Sequence, residues 1–337
     1  MNLDLSAIVL APRGLDGVRG LLKSLAAQTA ASRIEIVFVA PPGFSAANDP
    51  VLAGVGGHRA VEFEGFDSSA AARAAGVMAA QAPVVAFTED HCFPEPGWAE
   101  ALIDAHRAAW AGVGPVFQNA NPATAVSWAN LVIEYGEWLD PTHPGERSHI
   151  PGHNSAYKRS VLAALGGRLG PRLAHESVLQ WELRAAGERF CLDPRARTRH
   201  QNFSRLLPSL QLRVLHARVF GAARVRSFPL GLRWLFAAGA PLIPAIRFAR
   251  CVRHLRRACP APTWTVAPTL MLLLAAEGLG ELLGYAAGEG SAMARLSALE
   301  VGRERYLVAG DLEADGAGST RVPPTTSNGP AGVASSR

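Results

Sequence analysis

Short continuous apolar runs alternate with helically spaced ones over the first ninety residues. Residues 6–11 form an apolar run closed by Pro12, and residues 17–27 place Val18, Leu21, Leu22 and Leu25 on one helical face. Residues 34–39 are a second apolar run, rich in β-branched side chains and ended by Pro41-Pro42-Gly43, the pattern of a strand covered on both faces. An alanine-rich stretch of high helix propensity, 68–80, precedes a third strand-like run, 83–87. This alternation predicts an α/β fold with an open, mostly parallel sheet and helices on both sides. In such sheets ligands bind beyond the carboxyl ends of the strands.

The same reading continues to residue 200. It predicts a helix over 99–111, a strand over 113–117 and a helix over 125–138. Trp128, Leu131, Val132, Tyr135 and Trp138 fall near one face of that last helix. These aromatics suit core packing; a platform for a sugar or apolar acceptor is the alternative. A short strand at 155–157, a helix over 159–165 stopped by Gly166-Gly167, a helix over 176–186 ended by Gly187 and an edge strand at 190–192 follow.

Beyond residue 203 the pattern changes. Residues 206–220 are amphipathic, 230–248 are strongly apolar but broken by Pro241 and Pro244, and 265–287 form an apolar run long enough to cross a bilayer. Glu277 and Glu281 lie inside that run, where unpaired charge is costly. Two full spans, a hairpin that dips into the membrane, and a soluble helical bundle all fit. Arg247, Arg250, Arg253, Arg256 and Arg257 between the two apolar stretches favour an interfacial hairpin on the cytoplasmic face. From Ala309 the chain is rich in Gly, Ser, Thr and Pro, and disorder is expected. The expected division is 1–203 for the α/β domain, 204–290 for membrane-associating helices, 291–308 for a short helix or linker and 309–337 for the tail.

Composition adds little to this outline. A chain of 337 residues, 49% of them hydrophobic, can bury a large core, and its formal charge of +5 is modest. Arginine far outnumbers lysine and gathers between Arg195 and Arg257, which implies a basic second half or simply a genomic preference; no nucleic-acid partner is expected. The four cysteines, Cys92, Cys191, Cys251 and Cys259, lack CxxC or zinc-ligand spacing. With no secretory leader evident, a reduced, cytoplasmic setting is expected.

Candidate chemistry centres on Thr88-Glu89-Asp90-His91-Cys92, at the end of the third strand-like run. Two carboxylates and an imidazole on consecutive residues can converge on a divalent cation. Carboxylate oxygen suits Mg²⁺ or Mn²⁺, and the imidazole favours Mn²⁺.

The order of segments resembles a family-2 glycosyltransferase of the GT-A fold. The resemblance runs through Ser6-Ala7-Ile8-Val9-Leu10, Leu21-Leu22-Lys23-Ser24-Leu25-Ala26-Ala27-Gln28, Glu35-Ile36-Val37-Phe38-Val39 and Ala72-Arg73-Ala74-Ala75-Gly76. It reaches Val85-Ala86-Phe87-Thr88-Glu89-Asp90-His91, where that family has its Asp-x-Asp metal motif, and then Gly152-His153-Asn154-Ser155-Ala156-Tyr157-Lys158-Arg159. His175-Glu176 with Ala185-Ala186-Gly187, and His200 after Asp193-Pro194, complete it.

The resemblance implies an inverting transfer from a nucleotide sugar to a hydroxyl acceptor, with Glu176 as general base. It also implies Arg73, Glu89, Asp90 and His153 as contacts to the nucleotide sugar, and Glu89, His91 and His200 around a divalent metal. With membrane helices, the acceptor would be a lipid-linked or envelope glycan precursor. His175 is a further histidine beside the expected cleft.

The chain departs from the family where an acidic pair after the second strand is replaced by Ala40-Pro41. It departs again where Asp-x-Asp reads Glu89-x-His91, and where a customary Asn and Arg are Ala74 and Glu182. A catalytically inactive relative that acts as a scaffold or binding subunit at the membrane is the competing reading. A nucleotidyltransferase would need a glycine-rich loop after the first strand, which Pro12-Arg13-Gly14-Leu15 does not supply.

Overall fold

In the computed structural model, which describes residues 3–66, 68–174 and 176–314, the alternating pattern of the N-terminal half becomes a mixed sheet with helices on both faces. β1 (Leu5–Leu10), α1 (Arg19–Ala26), β2 (Ile34–Ala40) and β3 (Gly57–Glu62) open the chain. α2 (Ser69–Ala79), β4 (Val84–Phe87), β5 (Cys92–Pro94), α3 (Trp98–Ala105) and β6 (Gly112–Asn119) follow. Strict alternation explains the two-sided burial. Leu5, Ala7, Val9, Ile36 and Phe38 pack with Leu21, Leu25 and Leu102 of α1 and α3, whereas Ile8, Val37 and Val39 face Ala72 and Val77 of α2.

Next come α4 (Ala125–Tyr135), β7 (Gly145–Arg147), β8 (Ala156–Lys158), α5 (Arg159–Ala163), α6 (Leu169–Leu173), α7 (Glu176–Ala185) and β9 (Phe190–His200). Gly187, at φ +90°, ends α7 as its position predicted. The strand order is β3-β2-β1-β4-β8-β6-β9-β5, with β7 also on β9.

The expectation of a mostly parallel sheet is corrected. β1, β2, β3 and β4 pair in parallel, as do β6 and β9, but β8 is antiparallel to both β4 and β6, and β5 and β7 are antiparallel to β9. β5, β7 and β8 hold three residues each, too few to print a period in the sequence. The edge strand expected at 190–192 is also corrected: β9 runs eleven residues and lies between β6 and β5. Its second half buries Ala196, Thr198 and His200 and turns Arg195, Arg197 and Arg199 outward, so arginines mask a period-two strand.

The C-terminal third forms a helical layer: α8 (Leu206–Arg224), α9 (Leu230–Gly239), α10 (Ile243–Ala258), α11 (Thr263–Ala287), α12 (Ala292–Val301) and α13 (Ala309–Ala314). Two helical stretches among the described residues, Leu230–Ala258 and Thr263–Ala287, are long and apolar enough to cross a membrane. They differ in cover, 17% of the most apolar window being buried in the first and 44% in the second. α11 shares a core with the α/β domain, where Val266, Leu270, Leu273 and Leu274 meet Phe117 and Leu131.

The carboxylates inside α11 are partnered. Glu277 pairs with Arg247 of α10 and lies 3.7 Å from Arg213 of α8, and Glu281 accepts from Tyr285. Arg213, almost fully buried, also donates to Asn130 at 2.9 Å and to Glu134 of α4 at 3.2 Å. Residues 309–314, which composition assigns to the tail, are helical, and Asp311 accepts hydrogen bonds from Asn121 and Ser204. The rest of that expected tail, 315–337, lies outside the described residues.

α8 and α11 approach closely because glycines line their crossing. A Cβ at Gly280 would collide with the Val214 carbonyl oxygen, and one at Gly284 would lie 2.8 Å from the Ala222 nitrogen. Gly280→Val should therefore destabilise the protein by about 1–3 kcal/mol or more through overpacking, read as a lowered thermal midpoint. A second expectation concerns acid. Burial would raise the Glu134 carboxyl, but Arg213, then His200 and His216, outweigh it and hold it at about 2 against an ordinary 4.5. A depressed carboxylate stabilises the fold above its unfolded value, and that contribution fades as pH falls from about 4.5 toward 2. Thermal unfolding between those limits should steepen with acid by at most about 3 kcal/mol, and less in Glu134→Gln. Equal slopes would remove Glu134 from the account.

Candidate functional site

Beyond the carboxyl end of β4 the chain turns before β5, and this turn carries Glu89, Asp90 and His91. Its backbone is pinned on both sides. The Glu89 N–H donates to Asn154 Oδ1 at 3.1 Å, the Cys92 N–H to Glu89 O at 3.0 Å and the Gln201 N–H to His91 O at 3.0 Å. The register of β5 against β9 sets Cys92 opposite His200. Residues more than a hundred positions apart thereby meet at one strand end.

Two groups of side chains result. In the first, Glu89, His91, Cys92 and His200 place one donor atom each within 4.8 Å of one another. His91 Nε2 lies 3.5 Å from the Glu89 carboxylate and 3.2 Å from His200 Nε2. The Nδ1 atoms of the two imidazoles are engaged elsewhere, His91 with Asp90 at 2.7 Å and His200 with Asn202 Oδ1 at 2.8 Å. Asn154 Nδ2 donates to Glu89 at 2.7 Å, and the Tyr135 hydroxyl lies 3.4 Å from the same oxygen.

In the second group, Glu176 at the start of α7 accepts from Arg73 of α2 at 3.1 Å and lies 2.7 Å from His153 Nδ1, which is itself 2.7 Å from the same Arg73 nitrogen. Gly152 makes this approach possible, since a Cβ there would overlap the Glu176 carboxylate. Arg73 joins the two groups, its other terminal nitrogen lying 4.0 Å from Glu89.

The local field separates the titrating groups. Burial pushes Glu89 up, but His91, His153, His200 and Arg73 prevail and hold its carboxyl well below the usual range. Burial, then the neighbouring His91, depresses His200 to about 3, so it is neutral at pH 7. Burial also raises the Cys92 thiol well above its ordinary value, and the Glu89 charge adds to this. His153 behaves in the opposite way: burial opposes its charge, yet Glu176 prevails and pushes it up to about 9. It is therefore a cation at neutral pH, with its side chain still 41% exposed.

The structure thus gathers Arg73, Glu89, Asp90, His91, His153, Glu176 and His200, the residues singled out in the sequence, into one region. His175 lies outside the described residues. The sequence pattern assigns no role to Cys92, Asn154 or Asn202, and places Tyr135 only on a face for core packing or an acceptor platform. Cys92 lacks a CxxC partner along the chain, and its contact with His200 comes only from the β5–β9 register. Asn154 and Asn202 stand next to, and two residues after, histidines already noted, which was the available signal.

Residues 57–166, about a third of the chain, match the family model described as glycosyl transferase family 2. The matched span includes Arg73, Glu89, Asp90, His91 and His153, and leaves Glu176 and His200 outside. No curated protein matches the chain.

The Glu176–His153 pair has a direct readout. In a histidine NMR titration His153 should change protonation near 9, and well below that in Glu176→Gln, because burial and Arg73 are then opposed only by the Glu89 charge. An ordinary midpoint in the unsubstituted protein would contradict the ion pair.

Proposed function

We propose that this chain, with its glycosyl transferase family 2 segment, moves a sugar from a nucleotide-sugar donor to a hydroxyl acceptor with inversion, at the cytoplasmic face of a membrane. The observation that carries the reading is the join at Arg73. One arginine links a carboxylate suited to base work, Glu176, to a carboxylate in a cluster of metal-ligand type, Glu89, at the mouth of a parallel β1–β4 crossover. Such a strand end is a place where a diphosphate and an acceptor can be held together.

In this reading Arg73 and the cationic His153 receive the diphosphate, and Asp90 fixes the His91 ring. Glu89, His91 and His200 would hold a divalent cation, which supplies positive charge where the diphosphate leaves. Mg²⁺ or Mn²⁺ is the ion expected from the resemblance. Glu176 takes the proton as the acceptor O–H bond breaks, and the freed oxygen bonds to the anomeric carbon. The bond from that carbon to the diphosphate oxygen breaks on the opposite side, and the nucleoside diphosphate departs with the electron pair. Displacement from the far side inverts the anomeric centre.

The helical layer supports a membrane-bound acceptor, a lipid-linked or envelope glycan precursor. Leu230, Trp234, Leu235, Leu242, Ile246 and Trp264 are all more than 60% exposed, an apolar surface too large for water alone. Arg250, Arg253 and Arg256 flank it, which suits anionic lipid on the cytoplasmic side, while Arg247 is turned inward to Glu277 and Arg257 to the Gly136 and Leu139 carbonyls. With Glu277 and Glu281 partnered within the protein, a hairpin lying in the interface accounts for these helices without two full spans.

A second reading, an inactive binding subunit, draws on Ala40, fully buried where the family carries an acidic pair. Glu176→Gln separates the two. Sugar transfer to membrane acceptors should fall by about 10²–10⁴-fold while donor binding persists. Undiminished transfer would remove Glu176 as base, and absence of both donor binding and transfer in the unsubstituted protein would remove the transferase reading and move the binding-subunit reading ahead.

A further inference from the structure

We infer that Glu89, His91, Cys92 and His200 bind one transition-metal ion of the Zn²⁺ class, with Asp90 and Asn202 as the residues that aim the two imidazoles. This deepens the proposed function, on which its catalytic meaning rests, by identifying the cation. The geometry behind it involves only side chains of this chain.

Asp90 is a carboxylate and accepts, so the proton on the His91 ring sits on Nδ1. For His200 the assignment follows from a chain of amides. Asn202 Nδ2 donates to Asn119 Oδ1 at 3.1 Å and to His200 O at 3.0 Å, so Asn202 Oδ1 is the atom facing His200 Nδ1 and must accept from it. Asn119 Oδ1 is fixed in turn by donors from the Asn121 N–H and the Ser127 hydroxyl. Both Nε2 atoms therefore present lone pairs, and they face each other at 3.2 Å. Two lone pairs at that separation repel unless something positive lies between them.

A single shared proton would answer for one line between two nitrogens. It would not explain why Glu89 Oε2 lies 3.5 Å from His91 Nε2, 3.9 Å from His200 Nε2 and 3.9 Å from Cys92 Sγ, beyond strong hydrogen bonding yet around a common centre. A tetrahedral ion with bonds of about 2.0–2.1 Å to nitrogen, about 2.0–2.2 Å to oxygen and about 2.3 Å to sulfur has ligand-to-ligand edges of about 3.3–3.6 Å. The nitrogen pair and the Glu89–His91 edge already match. The rings also stand nearly perpendicular, at 83°, as two separate ligands of one ion can.

The donor set decides the class of ion. Mg²⁺ prefers six oxygens at about 2.0–2.1 Å and keeps several waters, whereas here two imidazoles and a thiol outnumber one carboxylate. Three of the four residues are buried to 7% exposure or less. Glu89, His91 and His200 themselves line a polar cavity of about 30 Å³, together with Glu134, Arg213 and Arg303. Carboxylate or amide partners behind ligating histidines are the usual device for fixing tautomer and ring direction.

The test uses the full-length protein in detergent, stripped by a chelator and then dialysed separately against Zn²⁺, Mg²⁺, Mn²⁺ and Co²⁺. Bound metal is counted by mass spectrometry. The expected result is about one Zn²⁺ per chain, retained against about a hundred-fold excess of Mg²⁺. The Co²⁺ form should show intense tetrahedral bands, with a thiolate charge-transfer band that Cys92→Ser abolishes. His91→Ala and His200→Ala should weaken Zn²⁺ by about a hundred-fold or more, and Asp90→Asn and Asn202→Ala by about 10–100-fold. Circular dichroism checks that each variant is folded; because Asp90→Asn and Cys92→Ser are near-isosteric, they keep the test decisive if the alanine variants unfold. Zn²⁺ binding unaltered by these two substitutions, or no metal retained, overturns the proposal, as does ready displacement by Mg²⁺. Donor binding and transfer are read on the same samples. Bound Zn²⁺ without transfer leaves the metal site standing and defeats the transferase reading, while transfer supported by Mg²⁺ with no retained Zn²⁺ does the reverse.

Discussion

An ionised arginine removed from water costs several kcal/mol unless its charge and its N–H groups are all met. Arg213 meets that condition by reaching three ways from α8: to Asn130 and Glu134 on α4, and toward Glu277 on α11. Because α4 packs on the end of β6 through Phe117 and Leu139, the same guanidinium that helps make the Glu277 carboxylate tolerable inside an apolar helix also fixes that helix to the sheet. Asn130 extends the arrangement, donating to the Phe203 carbonyl and the Ser209 hydroxyl at the start of α8. Charge burial and domain attachment are one arrangement here, and removing any partner would strand the others.

The site depends on that attachment from behind. Tyr135, the last residue of α4, touches Glu89 and stacks on Phe117 at 3.9 Å between ring centres. Arg303 donates to the Gln201 carbonyl next to His200 and lies over the Phe203 ring. The strand-end turn that carries Glu89 and His91 is thus held from the sheet side by Asn154 and from the helical side by residues of the C-terminal third. Polar groups buried in this way stay in place only while every partner is present.

The sequence was informative where periodicity is strong and silent where structure depends on pairing. β1, β2, β4 and α2 were legible because continuous apolar or alanine-rich runs admit few alternatives. β9 was misjudged because its outward arginines look like a loop when the partner strands are unknown. Arg73, Glu89, His153 and Glu176 could be singled out from segment order, but nothing local indicates that Arg73 would touch both carboxylates. Cys92 is the sharpest case: spacing along the chain gave it no cysteine partner, and the register of β5 with β9 set it opposite His200. The fate of Glu277 was equally hidden, since a carboxylate in an apolar run reads as a defect until Arg213 and Arg247 are placed beside it.

The amide chain that sets the His200 ring does not stop at Asn119. Asn121 accepts from the Asn202 N–H and donates to Asp311, which also accepts from Ser204. A residue of α13, more than a hundred positions downstream, is therefore hydrogen-bonded into the group that aims an imidazole at the mouth of the sheet. A chain ended after residue 203 would keep every strand and yet leave Asn121 and Asn130 without their partners Asp311, Ser209 and Arg213. Unfolding should accordingly proceed as one event rather than as a helical layer melting away from an intact sheet.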